Sequence, residues 1–235
     1  MKIFTNDALI AKKRKQANIV TPVAMAALVG GLITNFMSTS NSAYIPATIA
    51  LLAVGFIAAT ISAYMVNHWV KEPRVDQVLA SSLKGFDNRH FLFNYTAPAP
   101  HVLLTQNKVY TITPKIVKGE ISVSNDKWKR KFHWVRLIRF FGEEGLGSPS
   151  AEATSHHQKL VSLINENVTD GEEITVEPLI LFTHPDVELT IESSTMPIVQ
   201  SNKLKKYLKQ DTKDDSLKIE GEQRKQLIGV LKSDL

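Results

Sequence analysis

"IVTPVAMAALVGGLITNFM" at 19–37 and "AYIPATIALLAVGFIAATISAYMV" at 43–66 decide the architecture of this chain. Neither run contains a charged side chain. A helix of about 20 residues crosses a hydrocarbon core ~30 Å thick, and both runs suffice. The link between them, "STSNS" at 38–42, is short and polar, so the two helices must run antiparallel as a hairpin. Tyr44, Tyr64 and Trp69 fall near the ends of the second span, where amphipathic rings favour the interface.

Working outward, Lys12, Lys13, Arg14 and Lys15 precede the first span, and Lys71 and Arg74 follow the second. The link is uncharged, so positive-inside bias places both termini and the soluble mass in the cytoplasm, on a multi-pass protein of the cytoplasmic (inner) membrane. The rival reading is a cleaved signal peptide. A site before Tyr44 would put Asn41 at −3, where a small residue is preferred, and the second span would still hold the chain. Gly55, Ala59 and Ala63, with the pairs Ala26/Gly30 and Ala27/Gly31, form small-residue stripes. These are expected to pack the hairpin on itself rather than on a partner helix.

The 235 residues include no cysteine, which excludes disulfides, thiolate metal sites and a cysteine nucleophile. The net charge of +5 is unevenly spread. Residues 1–70 carry five Lys/Arg against one Asp, and residues 71–235 carry 23 Lys/Arg against 22 Asp/Glu. The expected organisation is a basic N-terminal segment (1–18), the transmembrane hairpin (19–70), a soluble domain (71–210) and a charged tail with a short helix (211–235).

Within the soluble part, 74–83 has helical apolar spacing. Residues 91–95 read as a strand, and 102–105 and 109–113 flank "QNK" as a hairpin, with 119–124 as a further strand of the same meander. Residues 151–165 read as a helix capped by Ser148 or Ser150. "VEPLILF" at 176–182 has the continuous apolar character of a buried central strand. A strand at 187–191, a helix at 204–208 and a weakly amphipathic helix at 219–231 complete an α/β domain with a mixed sheet flanked by helices.

"KWKRKFHWVRLIR" at 127–139 has six Lys/Arg and no acid. Three readings are open: a solvated sheet edge or helix face, a surface for anionic lipid, or a single-stranded nucleic-acid site with stacking aromatics. The candidate residues are Lys127, Lys129, Arg130, Lys131, Arg136 and Arg139, with Trp128 and Trp134. The seven histidines lack metal-ligand spacing, and adjacent His156 and His157 project about 100° apart on a helix, which suits rim positions. Phosphate-loop and nucleophile-elbow motifs are absent.

Four blocks over 74–209 resemble the NERD (nuclease-related) domain of the restriction-endonuclease-like PD-(D/E)xK superfamily. They are "HVLLTQNKVYTITPKIVKGEI" (101–121), "SPSAEATSHHQKLVSLI" (148–164), "VEPLILFTHPDVELTI" (176–191) and "MPIVQSNKLKKYL" (196–208). The resemblance implies that fold, and a Mg²⁺ site made of two acidic side chains with a nearby Lys. Pro100 stands at the position matching the family's Asp and Thr113 at that matching its Glu, while Lys115 is kept. Glu152 matches a helical Gln, and the upstream Glu is matched poorly by Glu72.

The expected protein is therefore a catalytically inactive, membrane-anchored nuclease-related domain, needing no cofactor. It would act as an interaction scaffold or accessory subunit, with the lipid bilayer and other membrane subunits as partners. The rivals are a divergent Mg²⁺-dependent nuclease using Lys115, Glu120 and Glu152, and a tethered nucleic-acid-binding protein.

Overall fold

The computed structural model describes residues 1–131, 145–168, 174–211, 219 and 221–232. The chain divides into two units. One contains residues 8–74 and is helical. The other contains residues 1–7, 75–131 and 145–235, and is the α/β domain.

β1 (Lys2–Thr5) opens the chain and α1 (Asp7–Ser38) follows, with Asp7 favourably placed at the positive N-terminal end of the helix. A 3-10 turn, Ser42–Tyr44, reverses direction; the Asn41 side chain accepts from Ala43 N at 3.0 Å. α2 (Ile45–Met65) starts with Pro46 in its first turn, where a missing N–H costs nothing. Both helices are long and apolar enough to cross a membrane.

Their buried positions recur every seven residues: Ile10, Ala17, Ala24 and Gly31 on α1, and Thr48, Gly55 and Ser62 on α2. A seven-residue repeat is the period of a left-handed helix pair. Gly31 and Gly55 sit where the helices come closest, since a Cβ on Gly31 would lie 2.6 Å from the Leu52 side chain and one on Gly55 2.9 Å from Leu28. Thr21 and Ser62 hydroxyls share a hydrogen bond of 2.7 Å, and the Thr48 hydroxyl donates to Thr34 at 2.9 Å. Hairpin packing therefore uses Gly31 and Gly55 of the expected stripes, but along a heptad rather than a four-residue period. Ala26 is exposed, and Ala59 and Ala63 are only half-buried. Val23, Met25, Val29, Ile33 and Phe36 on α1, and Ile49, Phe56, Ile57 and Ile61 on α2, face outward as a lipid-facing side chain set should.

In the α/β unit, α3 (Val75–Ser82) precedes β2 (Phe91–Asn94), β3 (His101–Leu104) and β4 (Val109–Lys115). β5 (Gly119–Ser124) and β6 (Lys127–Arg130) are joined by Asn125 and Asp126, both at positive φ, the two-residue turn that matches strand twist. α4 (Pro149–Asn167), β7 (Val176–Phe182), β8 (Val187–Ile191), β9 (Ile198–Gln200), α5 (Ser201–Asp211) and α6 (Gly221–Val230) follow.

Six strands form a mixed sheet in the order β1-β2-β3-β4-β7-β9. β2, β3 and β4 are an antiparallel meander; β1 joins β2, β7 joins β4 and β9 joins β7 in parallel. α3 and α5 cover one face through Val75, Leu79, Leu204 and Leu208 against Leu103, Tyr110, Ile112, Leu179 and Leu181. On the other face, α4 and α6 bring Leu160, Ile164, Leu227 and Leu231 against Phe93, Val102, Leu104 and Val109. The result is a three-layer sandwich with the mixed sheet as its middle.

Two prolines lie inside strands without breaking the ladder. Val109 N donates to Thr175 O and Thr183 N to Lys115 O, so odd residues of β4 face β7 and even ones face β3. Pro114 therefore points to the β3 side, beyond the last pair, His101↔Ile112. Pro178 points to the β9 side, where pairing begins only at Ile180. Neither ring displaces a donor that a neighbour needs.

Four expectations are corrected. β5 does not extend the meander, because β7 already occupies the far edge of β4; β5 instead pairs with β6 and β8 in a second, three-stranded sheet. Residues 2–5 are a sheet strand, so 1–18 is not a separate basic segment. The short helix expected in the charged tail is α6, and it packs on the domain rather than being solvated: Leu227 and, just past its end, Leu231 are fully buried, the Thr96 hydroxyl donates to Leu231 O at 2.7 Å, and Arg224 donates to Thr105 O at 2.6 Å. Ser148 occupies the N-cap of α4 without capping it by its side chain, and the Ser150 hydroxyl bonds Asp126 at 3.1 Å instead.

Candidate functional site

Side chains at odd positions of β4 point at α4. From the buried end outward they are Val109, Thr111, Thr113 and Lys115, an apolar-to-charged gradient. On α4, Glu152 and His156 are four residues apart and share one face. The two elements meet in matched pairs. The Lys115 ammonium donates to both Glu152 oxygens, at 2.6 and 2.7 Å. The Thr113 hydroxyl and His156 Nδ1 share a hydrogen bond of 2.8 Å.

Burial differs sharply across this cluster. The Lys115 side chain is 3 % exposed and that of Glu152 43 %, while Thr113 is buried. Gly147, at φ +62, passes so close that an added Cβ would lie 2.9 Å from Glu152 Oε1. Only glycine adopts that backbone without strain and leaves the carboxylate its room. Burial pushes His156 below the usual histidine range; the Glu152 carboxylate opposes this, while Lys159 and Lys115 add to it. The ring is thus neutral near pH 7.

The Mg²⁺ that the family resemblance implies needs several oxygen ligands held toward one point. Pro100 has no side-chain oxygen, and its carbonyl accepts from Tyr95 N at 2.8 Å. Thr113 is committed to His156, and both Glu152 oxygens to a cation. Among the described residues no three of His, Asp and Glu gather into a group that could hold a metal ion. These donors do not fit the ion.

Other sequence candidates separate from this cluster. Glu120 is on β5 in the second sheet, where both its oxygens accept from Lys131 at 2.9 Å. Of the three candidates Lys115, Glu120 and Glu152, Lys115 and Glu152 are bonded to each other, while Glu120 is bonded to Lys131. Glu72 pairs with Arg74 at 3.8 Å. His101 faces away from α4, with Nδ1 2.8 Å from Asn94 Oδ1 and its ring against Tyr95. Asn94 in turn donates to the Thr5 hydroxyl of β1 at 3.1 Å.

Of the basic stretch, Lys127, Trp128, Lys129, Arg130 and Lys131 are described, whereas Trp134, Arg136 and Arg139 lie outside the described residues. Lys127, Lys129 and Lys131 are exposed on alternate positions. Trp128 faces inward instead, its ring 5.8 Å from that of Phe182 and its Nε1 donating to Ser150 Oγ at 2.8 Å. It is a packing residue rather than a free stacking platform. Arg130 donates to Lys118 O at 3.0 Å. Lys129 and Lys131 line a hollow of about 390 Å³ together with Glu120 and Glu188, so this part of the surface is of mixed charge.

Asp126, unmarked in the sequence, joins three segments. It accepts from the Thr195 hydroxyl at 2.8 Å, the Ser150 hydroxyl at 3.1 Å and the Ser194 hydroxyl at 3.2 Å. These bonds, that of Thr195 foremost, hold its carboxyl below the usual range. The four-residue spacing of Glu152 and His156 is the sequence signal for this face of α4.

Comparison of the chain with profiles of known protein families, with curated proteins and with solved structures finds no match.

Proposed function

We propose that this protein is a membrane-anchored, nuclease-related domain whose metal site has been replaced by an internal ion pair, and that it works as an interaction scaffold or accessory subunit of a membrane complex. The observation that carries this reading is the Lys115–Glu152 pair. The resemblance is supported by an α3-β2-β3-β4 run with Lys115 at the end of the meander's last strand, followed by α4 and β7 after the β5-β6 hairpin of the second sheet. On this reading Lys115 stands at the position of the family's lysine. Glu152, on α4 rather than on a strand, gives that lysine a counter-charge without metal.

The reading extends to topology. β1 and β2 are neighbours in one sheet although both apolar helices lie between them in the chain. Two crossings return the chain to the side it left, and the basic residues at both flanks favour the cytoplasm.

The test is turnover on single- and double-stranded DNA and RNA with Mg²⁺ or Mn²⁺, using the full chain in mild detergent. No cleavage is expected. Metal-dependent cleavage that disappears in Lys115→Ala would overturn the reading in favour of a divergent nuclease.

A further inference from the structure

Among the described residues two strand edges lie open beside one groove. In the parallel pair β5·β8, Gly119 N donates to Asp186 O and Glu192 N to Val123 O, so even residues of β8 face β5. The main-chain groups of Val187, Leu189 and Ile191 therefore face the opposite way. Val187 O accepts from Gln200 Nε2 at 2.8 Å, which ties β8 to β9. Leu189 and Ile191 point into the space beyond that tie. On β9, Pro197 O accepts from Ile180 N, so Ile198 and Gln200 turn their main chain away from β7 toward the same space. β8 and β9 are each last in their sheet among the described residues.

The space is a groove of about 420 Å³, floored by Leu189, Ile191, Ile198 and Tyr207 and rimmed by Lys203 and Lys206 of α5. Among the described residues outside 19–64, Ile3 and Ile191 are the most exposed large apolar side chains, at 45 % and 47 %. Among the described residues neither Lys203 nor Lys206 is engaged in a hydrogen bond or ion pair. Among the described residues no acidic side chain lines the groove.

We propose that this groove binds an extended peptide segment of a partner protein, one that adds a strand to the open edge of β8 and sets an acidic side chain between Lys203 and Lys206. Strand addition draws on main-chain pairing for affinity and on alternate side-chain pockets for specificity. The open amide and carbonyl groups select a polypeptide over a lipid, which has no such ladder to offer. Ile191 and Ile198 take apolar side chains at alternate positions of the peptide. The two lysines, with no acid beside them among the described residues of the lining, select its carboxylate. This deepens the scaffold reading above and rests on it by naming the surface used.

The test starts from the full chain in phosphatidylcholine nanodiscs and a displayed library of random nine-residue peptides, counter-selected on empty nanodiscs. The expected winners carry Asp or Glu flanked by apolar residues at alternate positions. A synthetic winner should bind Lys203→Glu/Lys206→Glu at least about tenfold more weakly. N-methylation of its central amides should weaken it similarly, and Lys127→Glu/Lys129→Glu should leave it unchanged. Ile191→Asp, a change at an exposed position, should also lose binding while its unfolding midpoint stays near that of the parent. No enrichment, or winners that bind the Lys203/Lys206 variant equally, would overturn the proposal. Cleavage activity would end the scaffold reading and leave the peptide result to stand by itself.

Discussion

Glu152→Gln removes the charge on which both Lys115 hydrogen bonds depend while keeping the side-chain shape. Breaking a fully buried pair from one side costs about 3–5 kcal/mol, because a charge is left without compensation. Here Lys115 is 3 % exposed but Glu152 is 43 % exposed, so water reaches one end of the pair. A cost of about 2 kcal/mol is expected. With a urea m-value of about 2 kcal/mol/M, the midpoint should fall by about 1 M. Lys115→Met should behave differently, since it removes the buried charge, fills similar volume and leaves Glu152 to be solvated; its effect should stay within about 1 kcal/mol. The double variant should then recover most of the Glu152→Gln loss, a coupling of about 1–2 kcal/mol. Urea titration of the full chain in mild detergent, followed by tryptophan fluorescence, reads all four species, with Trp128 reporting from beside Phe182. A midpoint shift under about 0.3 M for Glu152→Gln, or losses that simply add in the double variant, would refute the idea that Glu152 compensates the buried Lys115 charge.

Asp126→Asn should cost about 1–2 kcal/mol at pH 7, since Thr195, Ser150 and Ser194 lose a charged acceptor. Because the folded carboxyl sits below its ordinary value of 3.8, its contribution is full above about pH 4 and fades as the pH falls further, so parent and variant should converge in acid unfolding curves. His156 works with the opposite charge: its depressed affinity for protons should lower stability as pH falls below about 6.5, and Thr113→Val should change that dependence in pH-resolved melts. Ser40→Cys should be labelled from outside intact cells and a cysteine at Lys129 should not; the reverse pattern would invert the topology. Gly31→Leu should force α1 and α2 apart, and loss of crosslinking between cysteines at Thr21 and Ser62, whose hydroxyls are 2.7 Å apart, would report it.

Amino-acid order alone determined the features that depend on neighbours along the chain. The two uncharged apolar runs require helices because a bilayer offers the backbone no partner. The short polar link makes them antiparallel. The hairpin around Gln106–Lys108, the helix beginning at Pro149 and the buried strand 176–182 were all legible, because turn chemistry and apolar period are local. Lys115 and Glu152 were both visible as residues, and the helical spacing of Glu152 and His156 was there to be read.

Tertiary structure decided what pairing and burial decide. The β1 segment "KIFT" has too little local signal to be a strand by itself, and its place beside β2 depends on a contact across 89 positions of sequence. Whether β5 extended the meander turned on β7 reaching the edge of β4 first. Trp128 resembled a surface aromatic within a basic run, yet strand alternation sends it inward while Lys127 and Lys129 face out. α6 lacks a strong amphipathic pattern because few of its side chains do the docking, Leu227 at their centre and Leu231 just beyond. The closing of Glu152 on Lys115, and the parting of both from Glu120, follow from which strand lies under α4. A one-dimensional string carries no such information, because the energy that fixes it comes from surfaces brought together only in the folded chain.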